Sequence, residues 1–304
     1  SYLEQVAACT PDPERSQPAP TRYPGSPLLA QMGLREHDRL RLFDATVHLR
    51  PAQPGPYVVE SGRADYEAAH IPSAAFADLA RELSDTGSPL RFTLPSPDAL
   101  AAALSACGLS NDHDCVVYSS TSPMWATRLW WMLRSMGFDA AVLDGGLAKW
   151  KAEGRALASG SERYPAGRFH AVPDTARWAD KDEVQRAIGD GAVCTINALT
   201  ASMHAGTAEV NYGRKGHIKG SVNVPYPSLL NADGSYRPVA ELRAAFDAVG
   251  ALSKPRVICY CGGGISATMD ALALTLIGHD NVAVYDGSMS EWVLDAALPM
   301  ELGG

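Results

Sequence analysis

One ordered set of segments occurs twice along this chain, and any fold has to accommodate both copies. Val193-Cys194-Thr195-Ile196-Asn197-Ala198 repeats the apolar run around Phe43. Gly216-His217-Ile218-Lys219-Gly220-Ser221 repeats His70-Ile71-Pro72-Ser73-Ala74, and Pro238 to Val249 repeats the stretch after Pro97. Val257 to Tyr260 matches Cys115 to Tyr118, and Val282 to Gly287 matches Val142 to Gly145. The spacing agrees as well. Tyr118 to Asp144 and Tyr260 to Asp286 both cover 26 positions, and Asp144 to Trp150 and Asp286 to Trp292 both cover six. Short apolar runs alternate with longer helix-like stretches in each copy. The chain is therefore predicted to be α/β, with two similar domains, each a mainly parallel central sheet flanked by helices.

The domain limits follow from composition. Residues 1–30 hold six prolines (Pro11, Pro13, Pro18, Pro20, Pro24 and Pro27) and read as an extended arm. Residues 31–155 form the first domain, 156–176 a linker rich in Gly, Ser, Pro and Ala, and 177–304 the second domain. Within the first domain, Leu40 to Ala45 reads as a strand, followed by a loop containing Pro51, Pro54 and Pro56. Pro97 to Cys107 reads as a helix with Ser96 as N-cap. Ala126 to Met136 reads as another, with Met124 and Trp125 in the loop before it.

The net charge of −8 opposes general nucleic-acid binding, because nothing would neutralise phosphates. No apolar stretch approaches the roughly twenty residues that span a bilayer. Six cysteines are present, but Cys115, Cys194 and Cys259 fall inside apolar strand-like runs, where free Cys acts as a small hydrophobe. No Cys/His cluster has zinc spacing. This pattern reads as a reducing compartment, the cytoplasm.

Chemistry concentrates at Cys261. Val257 to Tyr260 is a buried-strand pattern, Gly262, Gly263 and Gly264 follow the cysteine, and Ser266 to Ile277 reads as a helix ending at Gly278. A glycine loop between strand and helix lets backbone N–H groups converge, and the helix N-terminus adds positive potential. A thiol there ionises readily, and the thiolate is the nucleophile. Cys261 is the predicted catalytic residue, with Gly262, Gly263, Gly264, Ile265 and Ser266 as its loop. Ser266 is expected to cap the helix, and Cys259 to be buried. The matching loop of the first copy, Ser119 to Trp125, has no cysteine and no glycine. The second copy is thus predicted to be the working domain.

These residues resemble the tandem-domain rhodanese family, the thiosulfate and 3-mercaptopyruvate sulfurtransferases. The marks are His70-Ile71-Pro72, Arg128-Leu129-Trp130-Trp131-Met132, Leu143-Asp144-Gly145-Gly146, Gly216 to Pro225, the Cys261 loop, and Tyr285-Asp286-Gly287-Ser288 with Glu291-Trp292. The resemblance covers about residues 35 to 300. It implies an inactive first domain, a catalytic second domain and a cleft between them. It also implies a small-molecule sulfur donor, a persulfide on Cys261, and a thiol or cyanide acceptor. Thiolate attack on a polarised sulfur needs no cofactor and no metal.

The resemblance has departures. Where the family usually has Asp, Arg and a second Arg, this chain has Asn197, Leu199 and Met203. Thiosulfate, a dianion, is therefore disfavoured against mercaptopyruvate. Arg214 and Lys215 are the nearby basic residues that could receive a carboxylate; the other reading is two solvated loop charges. Through the resemblance, His70 is placed near the domain interface, and Met124, Trp125 and Tyr226 along the cleft. A phosphatase built on the same fold would need an arginine six positions after its cysteine, and this chain has Ala267 there. The remaining alternative is a sulfur carrier or docking module that keeps the fold without turnover.

Overall fold

Runs of β-branched and apolar residues assemble into two separate parallel sheets. The computed structural model describes residues 39–51 and 57–303, so the arm predicted over residues 1–30 lies outside the described residues. The first domain contains β1 (Leu40–Asp44), β2 (Val47–Pro51), β3 (Tyr57–Ser61), β4 (Ala75–Phe76), β5 (Asp114–Tyr118) and β6 (Ala141–Val142). Its helices are α1 (Arg63–Ala68), α2 (Pro97–Ala106), α3 (Pro123–Ser135) and α4 (Gly146–Ala152). Its main sheet runs β4-β1-β5-β6 and all its pairings are parallel.

The second domain repeats the plan. It contains β7 (Trp178–Ala179), β8 (Val193–Asn197), β9 (His217–Ile218), β10 (Val222–Asn223), β11 (Arg256–Tyr260), β12 (Val282–Tyr285) and β13 (Met300–Glu301). Its α-helices are α5 (Lys181–Ala187), α6 (Ala201–Ala205), α7 (Val239–Ala248), α8 (Ala267–Leu276) and α9 (Ser288–Trp292). The sheet order is β10-β8-β11-β12-β7, again parallel throughout. Val257, Ile258, Cys259 and Tyr260 on β11 are all buried, as expected of a strand covered on both faces.

Three local expectations change. The proline-containing segment after Ala45 is an antiparallel hairpin, β2 with β3, in register from Val47↔Ser61 to Pro51↔Tyr57. The prolines hid the alternation of its strands. Helix α3 begins at Pro123, capped by Ser122, whose side chain accepts the Met124 N–H. Met124 and Trp125 therefore lie on its first turn and not in a loop. Ser96 does cap α2, accepting the Ala99 N–H at 3.3 Å.

The linker is tied to the first domain along its length. The Tyr164 hydroxyl accepts the Leu42 N–H at 3.0 Å and donates to the Ser73 carbonyl at 2.5 Å. Gly167 N–H donates to Ser105 O, and Phe169 N–H to Ser105 Oγ.

The domains meet through α3 and α8, whose Thr127 and Thr268 hydroxyls hydrogen-bond at 2.8 Å. Around that contact the repeat shows itself in space. Asp286 accepts the Leu94 N–H at 2.8 Å, and Asp144 accepts the Tyr236 N–H at 2.8 Å. Leu94 and Tyr236 hold equivalent places in the two copies, as do Asp144 and Asp286. Each domain thus caps a backbone donor of the other with the carboxylate of its Asp-Gly turn.

Candidate active site

Parallel strand β11 ends at Tyr260, and its next residue, Cys261, turns away into the glycine loop before α8. The loop is held from two sides. Ser288 Oγ accepts the N–H groups of Cys261 and Gly264, both at 3.1 Å, and donates to the Tyr285 carbonyl at 2.6 Å. Met289 N–H donates to Cys261 O at 3.0 Å, and the N–H and hydroxyl of Ser290 donate to Gly262 O at 2.8 and 2.7 Å. The start of α9 therefore staples the loop. Ser288 has φ +48°, a left-handed conformation uncommon for a residue with a side chain.

From the first domain, Arg128 reaches the same loop. Its Nη1 pairs with Asp286 Oδ1 at 2.7 Å and donates to Gly264 O at 3.1 Å. Its Nη2 donates to Phe92 O at 2.7 Å, and its guanidinium lies 4.8 Å from the Trp178 ring centroid. Gly264 has φ +70°, and a Cβ there would press on the Asp286 backbone and Arg128. Glycine is required at that position by conformation and by space together.

Of the loop amides, those of Cys261 and Gly264 are committed to Ser288. Those of Gly262, Gly263, Ile265 and Ser266 have no hydrogen-bond partner among the described residues. Ser266 occupies the cap position of α8, but its side chain makes no cap bond, so the expected capping is corrected. The reason is backbone geometry: Ser266 is already right-handed helical, with φ −63° and ψ −22°.

The cysteines separate by surroundings. Burial pushes the Cys107 and Cys194 thiols up to about 11, and pushes Cys115 and Cys259 up as well. Cys259 lies fully buried on β11, as expected. Cys261 is itself only 2% exposed. The Tyr212 phenol packs against the neighbouring Gly262. Burial, followed by the charges of Cys261, Tyr57 and Tyr226, raises Tyr212. Burial, Tyr57 and Cys261 raise Tyr226.

The other sequence-derived candidates divide. Tyr226 starts a short 3-10 turn, Tyr226–Leu229, within electrostatic reach of Cys261. Arg214 is not a solvated charge. It donates to Asp295 O and Leu298 O, both at 3.0 Å, and so fastens the C-terminal turn. Lys215 is exposed, on the rim of a small pocket it shares with Leu199, Met203, Tyr212 and Met289. Trp125 is buried against Phe92, with ring centroids 5.3 Å apart, and belongs to the core and not to a pocket wall. Met124 is partly buried beside it on α3.

His70 is completely buried. Its Nδ1 contacts Tyr66 O at 2.8 Å, its Nε2 lies 3.4 Å from Glu162, and its ring stacks on Tyr66 at 4.3 Å. It joins the first domain to the linker, which removes it from the candidate substrate-binding residues. His217 has the same role in its own domain, stacked on His204 at 3.7 Å. Asn197 is buried, accepting the Leu199 N–H and facing His204.

The sequence alone does not single out Ser288, Arg128, Tyr57 and Tyr212 as site residues. Ser288 and Arg128 sit in segments that carried the family resemblance. Tyr57 lies in a hairpin whose alternation is masked by prolines, and Tyr212 lies in a segment with no periodicity. Among the described residues no cluster of three His, Cys, Asp or Glu could hold a metal. No described helix is long and apolar enough to cross a membrane.

Comparison with known proteins gives the same grouping as the geometry. The rhodanese-like domain pattern matches twice, at residues 41–153 and 182–295. The chain is 35% identical over 245 residues to a probable 3-mercaptopyruvate sulfurtransferase of Pseudomonas aeruginosa, covering 78% of this chain and 86% of that one. It is 34% identical over 260 residues to the thiosulfate sulfurtransferase of Cricetulus griseus, covering 83% and 84%. Among solved structures, a 3-mercaptopyruvate sulfotransferase from Escherichia coli superposes with a TM-score of 0.73 at 32% identity, over 85% of this chain and 97% of that one. The Tum1 protein of Saccharomyces cerevisiae superposes with a TM-score of 0.77 at 25% identity, over 91% and 95%. With its parallel sheets and Cys261 loop, the chain belongs to the rhodanese family, as a tandem of two rhodanese-like domains.

Proposed function

We propose that this sulfurtransferase moves a sulfane sulfur from a small donor to a thiol or cyanide acceptor through a persulfide on Cys261, and that 3-mercaptopyruvate is preferred over thiosulfate. The observation that carries the reading is the Cys261 loop. It joins one thiol to a glycine turn with four uncommitted amides, and the other described cysteines share no such setting. Residues 177–304 do the chemistry. Residues 31–155 support them through Arg128. Residues 156–176 link the two. The described cysteines are free, as in a reducing compartment such as the cytoplasm.

The thiolate attacks the outer sulfur of the donor. An S–S bond forms, the donor's bond to that sulfur breaks, and its electron pair leaves with the donor remnant. The acceptor then attacks the outer sulfur and returns Cys261 to the thiolate. The partnerless amides of Gly262, Gly263, Ile265 and Ser266 are suited to stabilising the charged persulfide.

The donor preference follows from charge. Leu199 and Met203 are apolar walls of the pocket beside Tyr212, at the two places where the family resemblance would put arginines, and Arg214, which also lines the pocket, directs Nη1 and Nη2 to two carbonyls. Lys215 is the cation on the rim. One carboxylate can be met there, whereas a dianion lacks its second partner. Each missing charge-assisted contact costs about 1.5–3 kcal/mol. Two together lower thiosulfate use by roughly a hundred-fold or more. Initial rates with each donor, with cyanide as acceptor, test this. We expect a higher kcat/KM for mercaptopyruvate, and equal or reversed efficiencies would overturn it.

A further inference from the structure

Nine tyrosines lie among the described residues, and their hydroxyls fall into two groups. Those of Tyr66, Tyr118, Tyr164, Tyr236, Tyr260 and Tyr285 each have a protein hydrogen-bond partner. Those of Tyr57, Tyr212 and Tyr226 have none among the described residues. The three lie within electrostatic reach of one another, Tyr57 from the first domain and the others from the second, and Tyr212 and Tyr226 lie within reach of Cys261 as well. Hydroxyls left free in a partly buried site are available to a ligand.

Tyr212 is the most intimate of them. A Cβ built on Gly262 would overlap its hydroxyl and ring edge. The phenol thus fills the space in which a side chain at position 262 would start. Glycine after the nucleophile leaves room for the tyrosine at 212. Tyr212 also lines the small pocket that Arg214 and Lys215 share.

We infer that Tyr212 donates a hydrogen bond to the carbonyl oxygen of a 2-oxo thiol donor, and that Tyr57 and Tyr226 assist Lys215 in holding its carboxylate. The inference rests on the sulfur-transfer reading above. When Cys261 attacks the donor thiol, the S–S bond forms and the C–S bond breaks. The electron pair passes to the carbonyl oxygen, giving an enolate, while the thiol proton stays on the outer persulfide sulfur. The enolate then takes a proton from solvent to become the 2-oxo acid. A donor fixed at the oxygen where this charge develops is more effective in the transition state than in the ground state. Burial keeps the phenol protonated, as a donor must be.

The test separates the two half-reactions. Persulfide formation from 3-mercaptopyruvate is timed in single turnovers. Discharge of preformed persulfide to cyanide, which makes no enolate, is timed separately. Tyr212→Phe should slow formation by about a hundred-fold, as loss of one such donor does. That loss should exceed any loss in discharge at least ten-fold. Tyr57→Phe/Tyr226→Phe should chiefly raise KM for mercaptopyruvate. Equal losses in both half-reactions, or no loss in formation, would overturn the role of Tyr212. A double variant with KM unchanged would overturn the role of the other two. If the unsubstituted protein forms no persulfide, the sulfur-transfer reading itself falls, and this inference with it.

Discussion

Arg128 of the first domain and Asp286 of the second form an ion pair of 2.7 Å directly behind the nucleophile loop. The same guanidinium nitrogen donates to the Gly264 carbonyl. A domain without a cysteine in its own loop thereby sets the shape of its partner's. Arg128 is 2% and Asp286 20% exposed, so breaking the pair leaves a partly buried carboxylate without its counter-charge. Arg128→Met should cost about 1–3 kcal/mol, measured by urea unfolding. A change under about 1 kcal/mol, at the level of a surface pair, would show that the pair does not bind the domains.

Ser288 joins two loop amides to one hydroxyl. Ser288→Ala leaves both donors without that acceptor, at a cost of about 1–3 kcal/mol. Because the loop shape is what positions Cys261, turnover by the folded variant should fall by at least ten-fold. Retained turnover at normal stability would mean that the loop holds its shape without the hydroxyl.

Much of this was legible in the sequence. The repeated order of segments gave the two parallel sheets, and the strand–Cys–Gly–helix pattern gave the nucleophile loop. What was not legible depends on tertiary contact. Nothing near Arg214 in sequence marks its two carbonyl partners, which come from residues 295 and 298. His70 was expected near a domain interface, but the linker residues that cover it lie about ninety positions on. The pairing of β2 with β3 is hidden by the prolines in the sequence after Ala45, and with it Tyr57. Tyr212 becomes informative only once its hydroxyl is seen against Gly262.

The stacked pair His204 and His217 makes stability depend on pH. Burial, then the charge of His217, lowers His204 from 6.5 to about 4. A depressed folded value means that the folded state binds the proton less tightly than the unfolded chain. This contribution is complete above pH 6.5 and is lost as pH falls from there toward 4. Its size is on the order of 3 kcal/mol. Denaturant unfolding at pH 7.5 and pH 4.5 should show the decline, and His204→Gln should flatten it. An equally steep decline in the variant would assign it to other groups.

Cys259 and Cys261 are two residues apart yet differ in kind, one within the sheet and the other in the loop. Cys261→Ser should abolish sulfur transfer, while Cys259→Ser should keep most of it. The opposite result in cyanide-acceptor assays would move the nucleophile.

The most direct measurement is the mass of the Cys261-containing peptide after brief exposure to 3-mercaptopyruvate, before and after cyanide. The account predicts one added sulfur atom on Cys261, its removal by cyanide with thiocyanate formed, and repeated cycles when both reagents are present. Sulfur on another cysteine, none at all, or a single loading without further turnover would contradict it.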